Sequence, residues 1–164
     1  MKNIVIITPV YNDWESFVKL INEIDKTISS FKNITFKLVA VNDGSKEETP
    51  SISLPSRLET IEILNMKINQ GHAICLANGI KYVLKNYEFD SLILMDADGE
   101  DRPEEIYDLI NKANGLKNVS VVAKRIKRSE GLIFTIFYSL HKILTLLFTG
   151  KLMNYWKENL RKLI

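Results

Sequence analysis

The stretch SLILMDADGEDRPEEI at residues 91–106 reads as a buried strand that runs into a cluster of acids and then into a helix. Its apolar start does not alternate with polar residues, which is the pattern of a strand covered on both faces. Pro103 sits where a helix tolerates proline in its first turn, and Asp101 and Glu104 stand at capping positions, so a helix is expected over about 103–114.

Working outward, the same unit recurs. NIVIIT at 3–8 is another apolar, β-branched run, and residues 13–30 carry Trp14, Phe17, Val18, Ile21, Ile24 and Ile28 at helical spacing behind Asp13, a plausible N-cap. TFKLVAV at 35–41 and TIEILN at 60–65 are further strands, residues 71–86 read as a helix, and NVSVVAK at 118–124 is expected to be a fifth strand. Strand and helix in repetition predict an α/β fold, a Rossmann-like, mostly parallel sheet with helices on both faces.

In such sheets ligands bind beyond the carboxyl ends of the strands. Three of those ends carry acids: Asp13 after the first strand, Asp43 in NDGS after the second, and Asp96, Asp98, Glu100 and Asp101 after the fourth. Two carboxylates spaced i, i+2 at a strand exit, Asp96 and Asp98, suit a hard cation such as Mg²⁺ or Mn²⁺ that shares its coordination with substrate phosphates. Glu100 offers a third oxygen donor. The competing reading is that these acids only form a turn and cap the next helix. Four acids within residues 96–101 repel one another unless a cation is present, which favours the metal.

Composition agrees with a folded chain. The 164 residues are 46% hydrophobic and 26% charged, with a net charge of +2, too small to argue for a nucleic-acid partner, and none is expected. The single cysteine, Cys75, allows no internal disulfide, fits a reducing compartment, and stands at an apolar helical position expected to be core. The N-terminus reads as a strand and not as a signal peptide, so a cytoplasmic location is expected.

Four segments in order resemble the family-2 glycosyltransferases of the GT-A type. ITPVYND at 7–13 resembles the family's opening, VAVNDGSKEET at 39–49 its Asp-Asp-Gly-Ser segment, and NQGHAICLANGI at 69–80 its Asn-x-Gly segment. LILMDADGEDRPEEI at 92–106 is similar to the acidic stretch of the dolichyl-phosphate mannose synthase-like branch, whose acceptors are polyprenyl phosphates. The resemblance implies that Pro9, Tyr11 and Asp13 line a nucleotide pocket, with Tyr11 near the base or ribose, and that Asp43 accepts hydrogen bonds from the base or ribose. It implies that Asp96 and Ala97 contact the nucleotide, that Asp98 holds the metal with Glu100 in reach, and that Arg125 in VVAKRIKR at 121–128 contacts the donor. Asn42, Gly99, Glu100 and Arg102 depart from the family's usual residues. Gly44 is expected to serve a turn, Asn69 and Gly71 to set the chain direction before the helix, Trp14 to be core, and His72 is given no catalytic role.

The expected organisation is a nucleotide-sugar-binding domain at 1–130 and an apolar, basic helical tail at 131–164. Residues 131–149 are near the length of a membrane span but are interrupted by Ser139, His141 and Lys142, and basic residues precede them. That suits an amphipathic helix on the inner face of an anionic membrane; a core-packing or dimer-forming helix, giving a homo-oligomer or a partner-chain contact, is the other reading, and a true span the third. The chain looks truncated against the family, which lacks here its usual acceptor-side half. The expected function is metal-dependent, inverting transfer of a sugar from a UDP- or GDP-sugar to a polyprenyl phosphate or other glycan acceptor. The alternatives are a non-catalytic nucleotide- or partner-binding module and, less favoured because no Gly-rich phosphate loop is seen, a nucleotidyltransferase.

Overall fold

A computed structural model describes residues 2–116 and 119–121, which fall within the compact unit Met1–Val121. The elements in chain order are β1 (Lys2–Val10), α1 (Trp14–Ile28), β2 (Ile34–Asn42), β3 (Leu58–Asn65), α2 (His72–Asn86), β4 (Ser91–Leu94) and α3 (Glu105–Ala113). The sheet runs β3-β2-β1-β4 with every pairing parallel. The expected parallel α/β architecture is therefore present. Arg125, the proposed boundary at 130/131 and the apolar stretch 131–149 lie outside the described residues.

Because β1 is buried on both faces, its alternate side chains feed two cores. Ile4 and Ile6 join Phe36 and Leu38 of β2 under Phe17, Leu20, Ile21, Ile24 and Ile28 of α1 and Ile106 of α3. Val5 and Ile7 join Val39 and Val41 of β2 under Cys75 and Val83 of α2. Helices thus cover both faces, as the unbroken apolar strands require. Trp14 is 5% exposed and belongs to the first core, and Cys75 is fully buried in the second. At the edge, Tyr82 and Tyr87 both donate to the Glu62 carboxylate and tie β3 to α2.

Two expectations are corrected. β4 is shorter than the expected 91–96, since it pairs with β1 only from Ser91 to Leu94 before the chain turns. Among the residues expected to form a fifth strand, Val119 to Val121 carry no strand, and the others lie outside the described residues.

α2 approaches the sheet closely because Gly79 has no side chain. A Cβ there would lie 2.7 Å from Val41 Cγ2 and 2.9 Å from Ile7 Cγ2, inside van der Waals contact. Gly79→Val should therefore destabilise the domain by about 1–3 kcal/mol, since overpacking outweighs the gain in helix propensity. A thermal melt should fall by roughly 2–4 °C per kcal/mol for a chain of this size, and an unchanged melt would disprove the tight contact.

Candidate functional site

β1 is hydrogen-bonded to both β2 and β4, so the exits of these three strands lie side by side. The pairing continues past the strand ends: the Asp43 N–H donates to the Val10 carbonyl at 2.9 Å, and the Met95 N–H to the Ile7 carbonyl at 3.0 Å. A cleft of about 340 Å³ opens there. Its walls come from Pro9, Val10, Tyr11 and Asp13 after β1, Asp43 after β2, Asn69, Gly71, His72 and Cys75 around the start of α2, and Asp96, Ala97 and Asp98 after β4. The volume falls within the range of small-molecule sites. Of the expected site residues, Pro9, Tyr11, Asp13, Asp43, Asp96, Ala97 and Asp98 are thus brought together. Glu100 is not among the residues lining the cleft, and Arg125 lies outside the described residues.

The loops after β1 and β2 are laced together. Asn12 adopts a left-handed backbone (φ 53°), which Asn tolerates better than most residues. Its N–H donates to Ser45 Oγ at 2.9 Å, and its Oδ1 accepts from the Lys46 N–H at 2.8 Å. Asn42 donates from Nδ2 to Asn65 Oδ1 at 2.9 Å and accepts the Ser45 N–H on its own Oδ1 at 2.9 Å. Its departure from the family's usual Asp thereby has a physical reason, because a carboxylate has no proton to give Asn65. Asp13 caps α1, accepting the Ser16 N–H at 3.1 Å, while standing at the cleft wall.

Asp43 is 4% exposed and spends both oxygens on backbone: Oδ1 accepts the Gln70 N–H at 2.8 Å and Oδ2 the Gly71 N–H at 2.9 Å. It therefore holds the segment that leads into α2. Gly44 (φ +69°) lets this segment lie against it, since a Cβ at 44 would come 2.6 Å from the Asn69 nitrogen. Gly71 (φ +88°) then turns the chain into the helix, the direction-setting role expected of it.

The acidic turn is built differently from expectation. Asp101 does not cap α3 with its side chain; it accepts the Asp96 N–H at 2.8 Å and closes the turn. Glu104 is the N-cap residue of α3 by position, but its side chain makes no capping bond. Asp98 Oδ1 accepts the Glu100 N–H at 2.8 Å, and the residue also lines the cleft. Burial raises the Asp96 carboxyl above the usual carboxylate range; nearby His72 opposes this, and Asp101, Asp98 and Glu100 add to it. This crowding is what a cation would relieve. Among the described residues no three His, Cys, Asp or Glu side chains gather closely enough to hold an ion alone. Asp96 and Asp98 fit a Mg²⁺-type ion only in the sense that such ions take one or two carboxylates and complete their shell with water and phosphate.

Sequence reasoning passed over His72. Its Nε2 lies 3.8 Å from Asp96 Oδ1. The signal was available: β3 is parallel to its neighbours, so its exit loop opens at the same edge as the acidic ones. Cys75 also reaches the cleft wall, but its thiol donates to the Val41 carbonyl at 3.3 Å and is pushed up to about 11, by burial first and then by the charge of Asp43, so it stays neutral.

The chain is similar to several known proteins. An uncharacterized glycosyltransferase of Synechocystis sp. is 31% identical over 127 residues, 76% of this chain and 38% of that protein. The undecaprenyl-phosphate 4-deoxy-4-formamido-L-arabinose transferase of Salmonella choleraesuis is 30% identical over 161 residues, 93% of this chain and 46% of that protein. The crystal structure of S. aureus TarS 1–349 superposes with a TM-score of 0.48 at 20% identity, covering 78% of this chain and 40% of that one. The chain thus spans less than half the length of the curated relatives named here. The family model described as glycosyl transferase family 2 matches residues 5–162, nearly the whole sequence, and the chain belongs to that family.

Proposed function

We propose that the chain binds a nucleotide-sugar, a UDP- or GDP-sugar, in the cleft at the strand exits and passes the sugar with inversion to a polyprenyl phosphate. The observation that carries this reading is that Asp43, Asp96 and Asp98, from two different strand exits, line one cleft. In it Tyr11 packs near the base or ribose, Pro9 and Asp13 line the same pocket, and Asp43 accepts from the base or ribose while it holds the segment leading into α2. Asp96 and Asp98 would hold Mg²⁺ or Mn²⁺, Ala97 contacts the nucleotide, Glu100 is a further candidate for the ion, and Arg125 a further candidate for the donor. The ion supplies neutralisation of the charge that builds on the departing diphosphate. An acceptor phosphate oxygen attacks the anomeric carbon, the bond to the diphosphate breaks, and the nucleoside diphosphate leaves with the electron pair. Because that oxygen is already anionic, no strong general base is needed.

The polyprenyl-phosphate acceptor is supported by the printed activity of the Salmonella relative. No helix of the described residues is long and apolar enough to cross a membrane. Attachment to the inner membrane face through 131–149 remains part of the proposal, as does a homo-oligomer or partner chain. A second reading is a module that binds nucleotide and turns nothing over.

A thermal-shift screen of UDP- and GDP-sugars with and without Mn²⁺ tests the reading. At a ligand concentration of about 100 Kd the expected stabilisation is ~2.7 kcal/mol, a rise of roughly 5–10 °C, seen only with nucleotide and ion together. A melt that no nucleotide moves under any ion overturns both readings. Binding without transfer to polyprenyl phosphate in vesicles selects the second.

A further inference from the structure

We infer that His72 is a donor-contacting residue whose imidazole hydrogen-bonds the diphosphate of the nucleotide. The inference rests on the reading of the cleft as a nucleotide-sugar site and adds to it a residue that the motif comparison does not supply. The cleft has an imbalance of hydrogen-bonding groups. Its lining includes four carboxylates, those of Asp13, Asp43, Asp96 and Asp98, and ionised carboxylates only accept. A diphosphate also only accepts, and it is anionic. It therefore needs donors as well as a cation, and His72 is the one basic side chain among the described residues that line the cleft.

The geometry keeps that side chain available. At 3.8 Å from Asp96 Oδ1, the Nε2 is beyond hydrogen-bond length, so its donor capacity is not spent on the carboxylate. Both residues line the cleft, so an imidazole donor stands beside one of the two proposed ion ligands, and such an ion would share its shell with phosphate oxygens. The residue before it is fixed: the Gly71 N–H is bonded to Asp43 at 2.9 Å, so the ring is carried on a positioned backbone. With Nε2 protonated, the neutral ring donates one hydrogen bond, and no change in its charge is required.

The test compares UDP and UMP, and GDP and GMP, by calorimetric titration in Mn²⁺ against the wild-type chain, His72→Ala and His72→Gln. A donor bond to a charged oxygen predicts that His72→Ala weakens diphosphate binding about tenfold or more. Monophosphate affinity should move little, and His72→Gln, whose amide still donates, should recover part of the loss. Equal diphosphate affinity in wild type and His72→Ala overturns the role of His72 while leaving the cleft as a nucleotide site. An equal loss for mono- and diphosphate overturns it too, since that result marks a disturbed loop. A wild-type chain that binds neither diphosphate overturns the reading of the cleft itself, and this inference with it.

Discussion

Asp98→Asn is expected to remove ion-dependent nucleotide binding while leaving the domain folded. The side chain is exposed, and its one bond within the turn, accepting the Glu100 N–H at 2.8 Å, is a bond that an Asn oxygen still makes. The turn therefore survives, and the unliganded melt should stay within the ~0.5 kcal/mol typical of surface substitutions. What changes is charge. The proposed ion site has two carboxylates in the cleft, Asp96 and Asp98, and the substitution halves that number. Hard cations depend on anionic oxygens, and even indirect disturbance of ion ligands costs 10–100-fold in metal affinity, so a loss of about tenfold or more is expected. The wild-type chain with the ion chelated should behave like the mutant with the ion present. If Mn²⁺ strengthens UDP or GDP binding equally in both chains, Asp98 does not hold the ion.

The parts of this site that were legible in the sequence are those set by strand ends. A buried parallel strand announces itself as an apolar run, and the residue that follows it must lie at the sheet's carboxyl edge. Asp96, Asp98, Asp43 and Tyr11 could be assigned to one edge for that reason, and the structure sets all four on one cleft. Element ends were less legible. β1 extends to Val10 and not to residue 8, because Pro9 keeps its place in the parallel register opposite Val41. The irregular register between Phe36 and Lys37, where β2 meets β3, has no signature in the residues themselves.

Side-chain partners inside the loops were not legible at all. Asp101 stands where a capping residue belongs, yet it bonds back to Asp96, a choice fixed by the path of the turn and not by residue type. His72 looks like an ordinary first residue of a helix. Its relevance comes from the exit of β3, which the sequence presents as a loop without acids. The same holds for Asp43, whose bonds from the Gln70 and Gly71 N–H groups have no signature in its identity.

Asp43→Ala should accordingly act on stability and binding together, in a way that distinguishes it from any change at the proposed ion site. The buried carboxylate accepts the N–H groups of Gln70 and Gly71 at 2.8 and 2.9 Å. Hydrogen bonds to charged groups contribute about 1.5–3 kcal/mol each, and the open cleft gives the freed donors some water, so a total loss of about 2–5 kcal/mol is expected. A melt lowered by roughly 2–4 °C per kcal/mol is the measurement. Asp43→Asn should fall between, because its oxygen accepts one N–H while its amide nitrogen is forced against the other. The freed segment carries Asn69, Gly71 and His72 on the cleft wall, so nucleotide affinity should drop as well. That drop should come with a lowered unliganded melt, unlike the effect at Asp98, because the wall and not the ion is disturbed. A chain with Ala at position 43 that melts like the wild type would show that the two backbone bonds do not hold the loop, and the cleft wall would need another anchor.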